Sequence, residues 1–341
     1  MNEDHIMLRD TLIGRLASHD GKSAWVELGN AGVRGICVPE ELGGLGLTLD
    51  DAAPVMEALG EHCLPTSFLE TSIIATRLLA SARCVEGDSV LRAIAEDGAR
   101  VAVAGLDVGL RGDLSAGYVG EAWNISGTAR VVLDADVATS LIIIATHDDA
   151  PAMFLLRDWQ NLERHSFPTI DGRNAADLVF QQTPAILIAK QAATLISDVT
   201  DEAIACLAVE AAALMRRLVR DTVEYTKQRE QFDQSIASFQ VVQHRLVDMN
   251  IQARRAGAIA RRAVALLVGP ELERARTISA AKVTIAQAGR YIGQQAVQLH
   301  GGMGMTVELP IGRCFKRLTV IENELGSTDD HLRRFAATSV A

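Results

Sequence analysis

Helix, then sheet, then helix is the order that the 341 residues predict: a mainly α protein with a β domain in its middle. Composition is the first reason. Hydrophobic residues make up 48% of the chain and aromatics only 4%, so the core rests on aliphatic and alanine side chains, which favour close-packed helices over aromatic-rich sandwiches. The second reason is a change of period near residue 98, from helical spacing to short β-rich runs. The third is the length of the helical segments after residue 197, which exceeds that of an ordinary globular helix and points to a bundle.

Residues 1–96 predict a helical domain. Leu8, Leu12 and Leu16 fall on one stripe, and Ala53 to Gly60 resume the period after GVRGICVPEELGGLGLTLDD. Gly43, Gly44 and Gly46 in that interruption resemble a phosphate loop only superficially, because no Lys-Ser/Thr pair follows, and a tightly packed turn is expected. Residues 97–192 carry ARVAVAGL, AWNISG, ARVVL, TSLIIIAT, AMFLL and ADLVF, separated by Gly, Asp and Asn, and predict a compact sheet. Residues 193–341 predict an up-down bundle built on three long antiparallel helices. Its first helix is expected from about Ser197 to Gln231, its second from about Ser238 to Val268, where Gly269-Pro270 stops it, and its third from Glu271 to about His300.

A net charge of -10 argues against a nucleic-acid partner, which needs clustered Lys and Arg on one face. The pairs Arg216-Arg217, Arg254-Arg255 and Arg261-Arg262 are expected on solvated helix faces. No apolar run is long enough to span a bilayer, and MNEDHIMLRD lacks the apolar core of a signal peptide, so a cytoplasmic protein without membrane contact is expected. Cys37, Cys63, Cys84, Cys206 and Cys314 are scattered without a C-x-x-C pair, which predicts small buried side chains and no metal site.

The break between the first two long helices, KQREQFDQSIASFQVVQHRLVDM, holds more long, directional polar side chains than a plain turn requires. Arg229, Phe232, Ile236, Phe239, Gln240 and Met249 in this stretch fit the pattern R-x-x-F-G-x-x-I-x-x-F-Q of the acyl-CoA dehydrogenase family. Downstream, QLHGGMGMTVELPIGRCFKR resembles a second motif of that family through Gln298, Gly301, Gly302, Gly304, Glu308, Pro310 and Lys316. Upstream, GICVPEELGGLGL followed by MEALGE is similar to its N-terminal helical domain. The resemblance runs in order along nearly the whole chain. It implies an N-terminal helical domain, a middle β domain and a C-terminal four-helix bundle. It also implies FAD at a subunit interface, where the bundle of one subunit reaches the dinucleotide held by its neighbour.

On that resemblance the cofactor-binding residues are Arg229, Gln231, Phe232, Gln240, Gln298, Gly301 and Gly302. An arginine fork can contact pyrophosphate oxygens with two hydrogen bonds, glutamine amides donate and accept at one place, and a Gly-Gly pair admits close backbone approach. Asp233 stands where the family usually has glycine, and its carboxylate opposes a pyrophosphate unless it turns to solvent.

Members of the family desaturate an acyl-CoA thioester, with a glutamate removing the α-proton while the β-hydrogen leaves as hydride. Ungapped counting places the common base position at Leu325, just before Gly326, and the alternative position on the first bundle helix at Ala203. Neither side chain takes a proton. Glu324 and Glu202 are neighbours displaced by one residue, and Asp201 and Glu202 are expected in the first helical turn, where carboxylates suit the positive end. The family's D-x-x-R finds Ile204 in the arginine's place, T-E-P-x-A-G-S-D has no counterpart in AVAGLDVGLRGDLSAG, and in GTARVVLDADVA Val131 and Leu133 replace the tryptophan and threonine of G-x-K-x-W-I-T.

A preserved dinucleotide clasp without a base resembles one short subunit of the heteromeric (α2β2) bacterial acyl-CoA dehydrogenases of steroid side-chain and related bulky acyl-CoA degradation, which implies a role in fatty acid or steroid side-chain catabolism. The ending GSTDDHLRRFA is similar to theirs. The resemblance implies a catalytic partner subunit in a heterotetramer, an acyl-CoA substrate and an electron-accepting flavoprotein. Two rival readings stay open at the level of sequence: a self-sufficient homo-oligomer with Glu324 or Glu202 as base, and a non-catalytic scaffold.

Overall fold

The computed structural model describes residues 2–107, 113–120, 122–159, 161–305 and 309–338. Helices α1 (Glu3–Leu16), α2 (Gly21–Asn30), α3 (Leu49–His62), α4 (Thr76–Ala82) and α5 (Val85–Arg92) come first, with π-helical turns at Phe68–Ala75 and Ala93–Asp97. Asp20 starts α2 through a capping box with Ser23, and Leu12 and Leu16 of the expected stripe are fully buried. The glycine-rich interruption is a tight turn as expected: a Cβ on Gly44 would lie 2.1 Å from the Val38 carbonyl oxygen.

Strands β1 (Val101–Ala104), β2 (Ser115–Val119), β3 (Ala122–Leu133), β4 (Ser140–His147), β5 (Ala150–Leu156), β6 (Glu163–Pro168) and β7 (Asn174–Ala189) form one sheet. The pairings β4–β2, β2–β3, β3–β7, β7–β5 and β5–β4 close a ring, with β1 beside β4 and β6 beside β7. The run Leu141 to Ala145 is buried on both faces, which is why it reads as continuous apolar sequence rather than alternation. AWNISG and ARVVL, which the sequence separates, are one strand, β3, interrupted by register shifts near Gly127 and Val131. At Gly127 the chain takes φ +117 and a Cβ would meet the Asp113 carbonyl oxygen at 2.5 Å, so glycine is a steric requirement.

Helices α6 (Ala193–Gln228), α7 (Gln240–Ala265), α8 (Glu271–His300), α9 (Pro310–Asn323) and α10 (Thr328–Ala337) complete the chain. Ile204 and Ala205 of α6, Ala263 and Val264 of α7, and Ile278 and Ala281 of α8 share one apolar cluster. Helix α6 begins before the expected Ser197, so Asp201 and Glu202 lie more than two turns in and cannot serve its N-terminal end. That expectation is corrected: Asp201 is buried, and Glu202 makes a forked ion pair with Arg77, both oxygens accepting at 2.9 Å.

Residues group into two compact units, 1–18, 53–64 and 204–341 in one, 19–52 and 65–203 in the other. All the residues expected to touch the dinucleotide belong to the first.

Candidate functional site

Helix α6 ends where the Arg229 amide donates to the Tyr225 carbonyl at 2.9 Å. The chain then reverses in a two-stranded hairpin, β8 (Glu230–Gln231) with β9 (Gln234–Ser235). Both residues of its tip, Phe232 and Asp233, have positive φ, +57 and +61, the signature of a type I′ turn. This accounts for the Asp233 departure locally: aspartate is among the few non-glycine residues that tolerate the left-handed region, and its exposed side chain is on the solvent side. Phe232 does not tolerate it well, and its ring is 86% exposed, touching Phe239 edge-on at 6.2 Å. Ser235 ties the hairpin back by donating to the Thr226 carbonyl at 2.9 Å.

Helix α7 opens at Gln240 with Phe239 in the cap position and no side-chain cap; the Val242 amide donates to the Phe239 carbonyl at 3.0 Å, which leaves the Gln240 and Val241 amides ahead of it for an external acceptor. Arg229, Gln231, Gln240 and Gln298 are all exposed. Among the described residues the Arg229 guanidinium has no carboxylate partner.

Two contacts missed by sequence reasoning bring the motifs together. The Tyr225 and His300 rings stack at 4.1 Å and 24°, and the Tyr225 hydroxyl donates to the His300 carbonyl at 3.4 Å, joining the end of α6 to the end of α8. Arg245 of α7 donates to the Gln295 side chain of α8 at 3.0 Å, one turn before Gln298. His300 is buried and makes a 2.8 Å ring-nitrogen contact with the Ala296 carbonyl, and burial pushes its pKa below the ordinary value of 6.5. The position of His300 between Gln298 and a Gly-Gly pair was the available signal.

Gly301 takes φ +60 and ψ -142, a conformation open only to glycine, yet a Cβ on Gly301 or Gly302 would meet nothing within 4 Å. Backbone conformation, not crowding within this chain, calls for glycine at 301, whose amide donates to the Gln298 carbonyl, and the face where a Cβ of Gly301 or Gly302 would stand is open. Exposed forked and amide side chains, uncapped amides and a bare Gly-Gly backbone suit an anionic ligand with many acceptors. Glu308 of the same motif lies outside the described residues, as do residues 108–112 of AVAGLDVGLRGDLSAG.

At the positions where the resemblance implies a base, the side chains are engaged elsewhere. Leu325, with φ +60, packs against the cluster containing Ile204, Ala263 and Ile278, and Ala203 is fully buried. Glu324 accepts a 2.8 Å hydrogen bond from Arg317, which also forks onto Glu210 at 2.6 and 2.7 Å. Lys282, fully buried, donates to the carbonyls of Ile321, Glu322 and Gly326 at 3.0, 2.9 and 2.9 Å. It closes the C-terminal end of α9 and pins the 324–326 loop. A single lysine among Ile278, Ala281 and Ile285 on one helical face was its signal in the sequence.

Val131 sits in the β3 irregularity with φ +53, its amide donating to Asp177 at 2.9 Å. Four of the five cysteines are buried, Cys84 being half-buried. Among the described residues no three metal-binding side chains converge, and no helix is long and apolar enough to cross a membrane.

Residues 13–83 match the family model of the acyl-CoA dehydrogenase N-terminal domain, and residues 194–339 match that of the acyl-CoA dehydrogenase C-terminal domain. The chain belongs to the acyl-CoA dehydrogenase family. The acyl-CoA dehydrogenase family is one of FAD-dependent oxidoreductases. This member is 27% identical to acyl-CoA dehydrogenase IpdE2 of Mycolicibacterium smegmatis, across 99% of both chains. It is 24% identical to the human mitochondrial short-chain specific acyl-CoA dehydrogenase, across 89% of this chain and 79% of the relative. Among solved structures, a variant of the Tcur3481-Tcur3483 steroid ACAD superposes with a TM-score of 0.90 at 26% identity, covering 99% of this chain and 98% of that one. The ChsE4-ChsE5 complex from Mycobacterium tuberculosis shares the fold, with a TM-score of 0.88 at 22% identity over 100% and 98% of the two chains.

Proposed function

We propose that this chain is the non-basic subunit of a heteromeric FAD-dependent acyl-CoA dehydrogenase. It lends Arg229, Gln231, Phe232, Gln240, Gln298 and Gly301-Gly302 to FAD in a composite site, while a catalytic partner supplies the proton acceptor. The observation that carries this reading is the state of the base positions: Leu325 and Ala203 are apolar and packed, and the adjacent carboxylates are each held by an arginine, Glu324 by Arg317 and Glu202 by Arg77.

Arg229 would hold pyrophosphate oxygens through its fork, with the first amides of α7 adding donors on the same anion. Gln240 and Gln298 would complete the polar contacts, and the Gly301-Gly302 peptide groups would lie close against the ligand without a side chain between them. Bound FAD supplies the hydride acceptor for α,β-desaturation of an acyl-CoA thioester. The name of the Tcur3481-Tcur3483 steroid ACAD supports a bulky acyl substrate, and an electron-accepting flavoprotein would reoxidise the cofactor.

Coexpression with a catalytic acyl-CoA dehydrogenase subunit is expected to give a yellow complex that oxidises an acyl-CoA, whereas the chain purified alone carries little flavin. In the complex, Glu324→Gln and Glu202→Gln should leave the rate within a few-fold of wild type. If the chain alone binds FAD stoichiometrically and turns over, and one of these variants loses orders of magnitude in rate while folded, that glutamate is the base and the division of labour is wrong.

A further inference from the structure

Far along the chain from the dinucleotide motifs, within the unit formed by 19–52 and 65–203, an open cavity of about 550 Å³ is lined by Trp25, Val26, Arg34, Asp97, Arg100 and Val137, among others. Two of the lining residues are arginines. The Arg34 and Arg100 Cζ atoms lie 5.8 and 5.4 Å from the Trp25 ring centroid, each over the same buried indole. The indole is itself fixed, its Nε1 donating to the Gly98 carbonyl at 3.1 Å.

The seat of Arg34 is built by the backbone. A Cβ on Gly98 would lie 1.9 Å from Arg34 Nη1, and one on Gly29 would lie 2.3 Å from Arg34 Cζ, so glycine at both positions makes the room its guanidinium fills. Gly98 also takes φ +68. Yet its hydrogen bonding is incomplete: Arg34 Nε is buried without a hydrogen-bond partner, and among the described residues neither Arg34 nor Arg100 has an ion-pair partner. Burial, and then Arg34 itself, pull the pKa of Arg100 down, against the pull of Asp134 the other way. Asp134 outweighs the repulsion from Arg34, and Asp97 lies in the lining, so the charge of the pair is offset within the protein while the Nε edge of Arg34 stays unfilled.

The rim beside them is apolar. Val26 and Val137 are 58% and 40% exposed, and Ala93 and Ala99 continue the wall. We infer that this cavity is a binding site for an oxyanion carried on an apolar body, a carboxylate or a phosphate ester, gripped by Arg34 and Arg100 with its apolar part against Val26 and Val137. Forked guanidinium donors match either oxyanion, and the valines reward a hydrocarbon portion that free phosphate lacks. This site is independent of the flavin reading and needs no bound FAD.

Isothermal titration calorimetry at low salt with phenyl phosphate, benzoate and inorganic phosphate tests it on the whole chain. Saturable binding of phenyl phosphate assigns the phosphate-ester class and of benzoate the carboxylate class, in either case tighter than inorganic phosphate. Arg34→Gln and Arg100→Gln should each weaken that binding at least tenfold. Asp97→Asn, which removes a carboxylate from the rim, should tighten it, a gain that a damaged fold would not produce. Absence of saturable binding with both organic anions, or an affinity unchanged in both arginine variants, overturns the assignment.

Discussion

His300 sits where charge is unwelcome, and that fixes a pH dependence. Its pKa in the folded chain is below the 6.5 of an unhindered imidazole, so the unfolded chain takes up the proton first. The stability it contributes is therefore full above 6.5 and falls as the pH drops toward the lower folded value. Urea unfolding between pH 7.5 and 5.5 should show a smaller loss of stability in His300→Gln than in wild type; an equal slope would mean that the imidazole stays exposed to solvent. The Glu210–Arg317–Glu324 triad is the second test at this scale. Arg317→Met takes the guanidinium away from two carboxylates in a largely dry site and should cost about 3–5 kcal/mol in denaturant titrations. Sequence alone could name Glu324 as a neighbour of the base position, but it could not show that the carboxylate was already taken, because Glu210 and Arg317 are 107 positions apart and meet only in the folded chain.

The hairpin between α6 and α7 was legible as a polar turn and not as strands, since two residues per strand carry no period. Its tip holds a bulky ring in a backbone region that favours glycine and asparagine. The left-handed conformation costs about 1–2 kcal/mol for such a residue, while the edge-on contact with Phe239 contributes about 0.5 kcal/mol at this exposure. Phe232→Asn should thus leave the isolated chain unchanged or raise its stability by about 1 kcal/mol, while flavin retention in the complex falls. Stability and retention rising together would remove Phe232 from the clasp. The α9–α10 connection depends on Lys282 instead. Lys282→Met leaves three carbonyls without their donor and should cost at least about 3 kcal/mol, measured by thermal unfolding.

For the molecule as a whole, the order of helix, sheet and helix could be read because each part has a long or repeated period, with the family motifs marking the first and last parts and the sheet resting on its β-rich runs. The closed pairing of the β strands could not: β2 and β6 are short and largely exposed, so neither offers the alternation that marks a half-buried strand. If clasp and base belong to different polypeptides, fewer sites than subunits can be complete. The complex should then contain less than one FAD per polypeptide, and Arg229→Gln should lower flavin affinity about tenfold, near 1.4 kcal/mol. Full occupancy of every chain would contradict the shared site. The ammonium of Lys282, meanwhile, works like a nail through the stretch ahead of Gly326. With the main chain held by that ammonium at 321, 322 and 326, on both sides of position 325, the proposed division of labour has a mechanical footing: the backbone that presents Leu325 is fastened in place rather than left to rearrange.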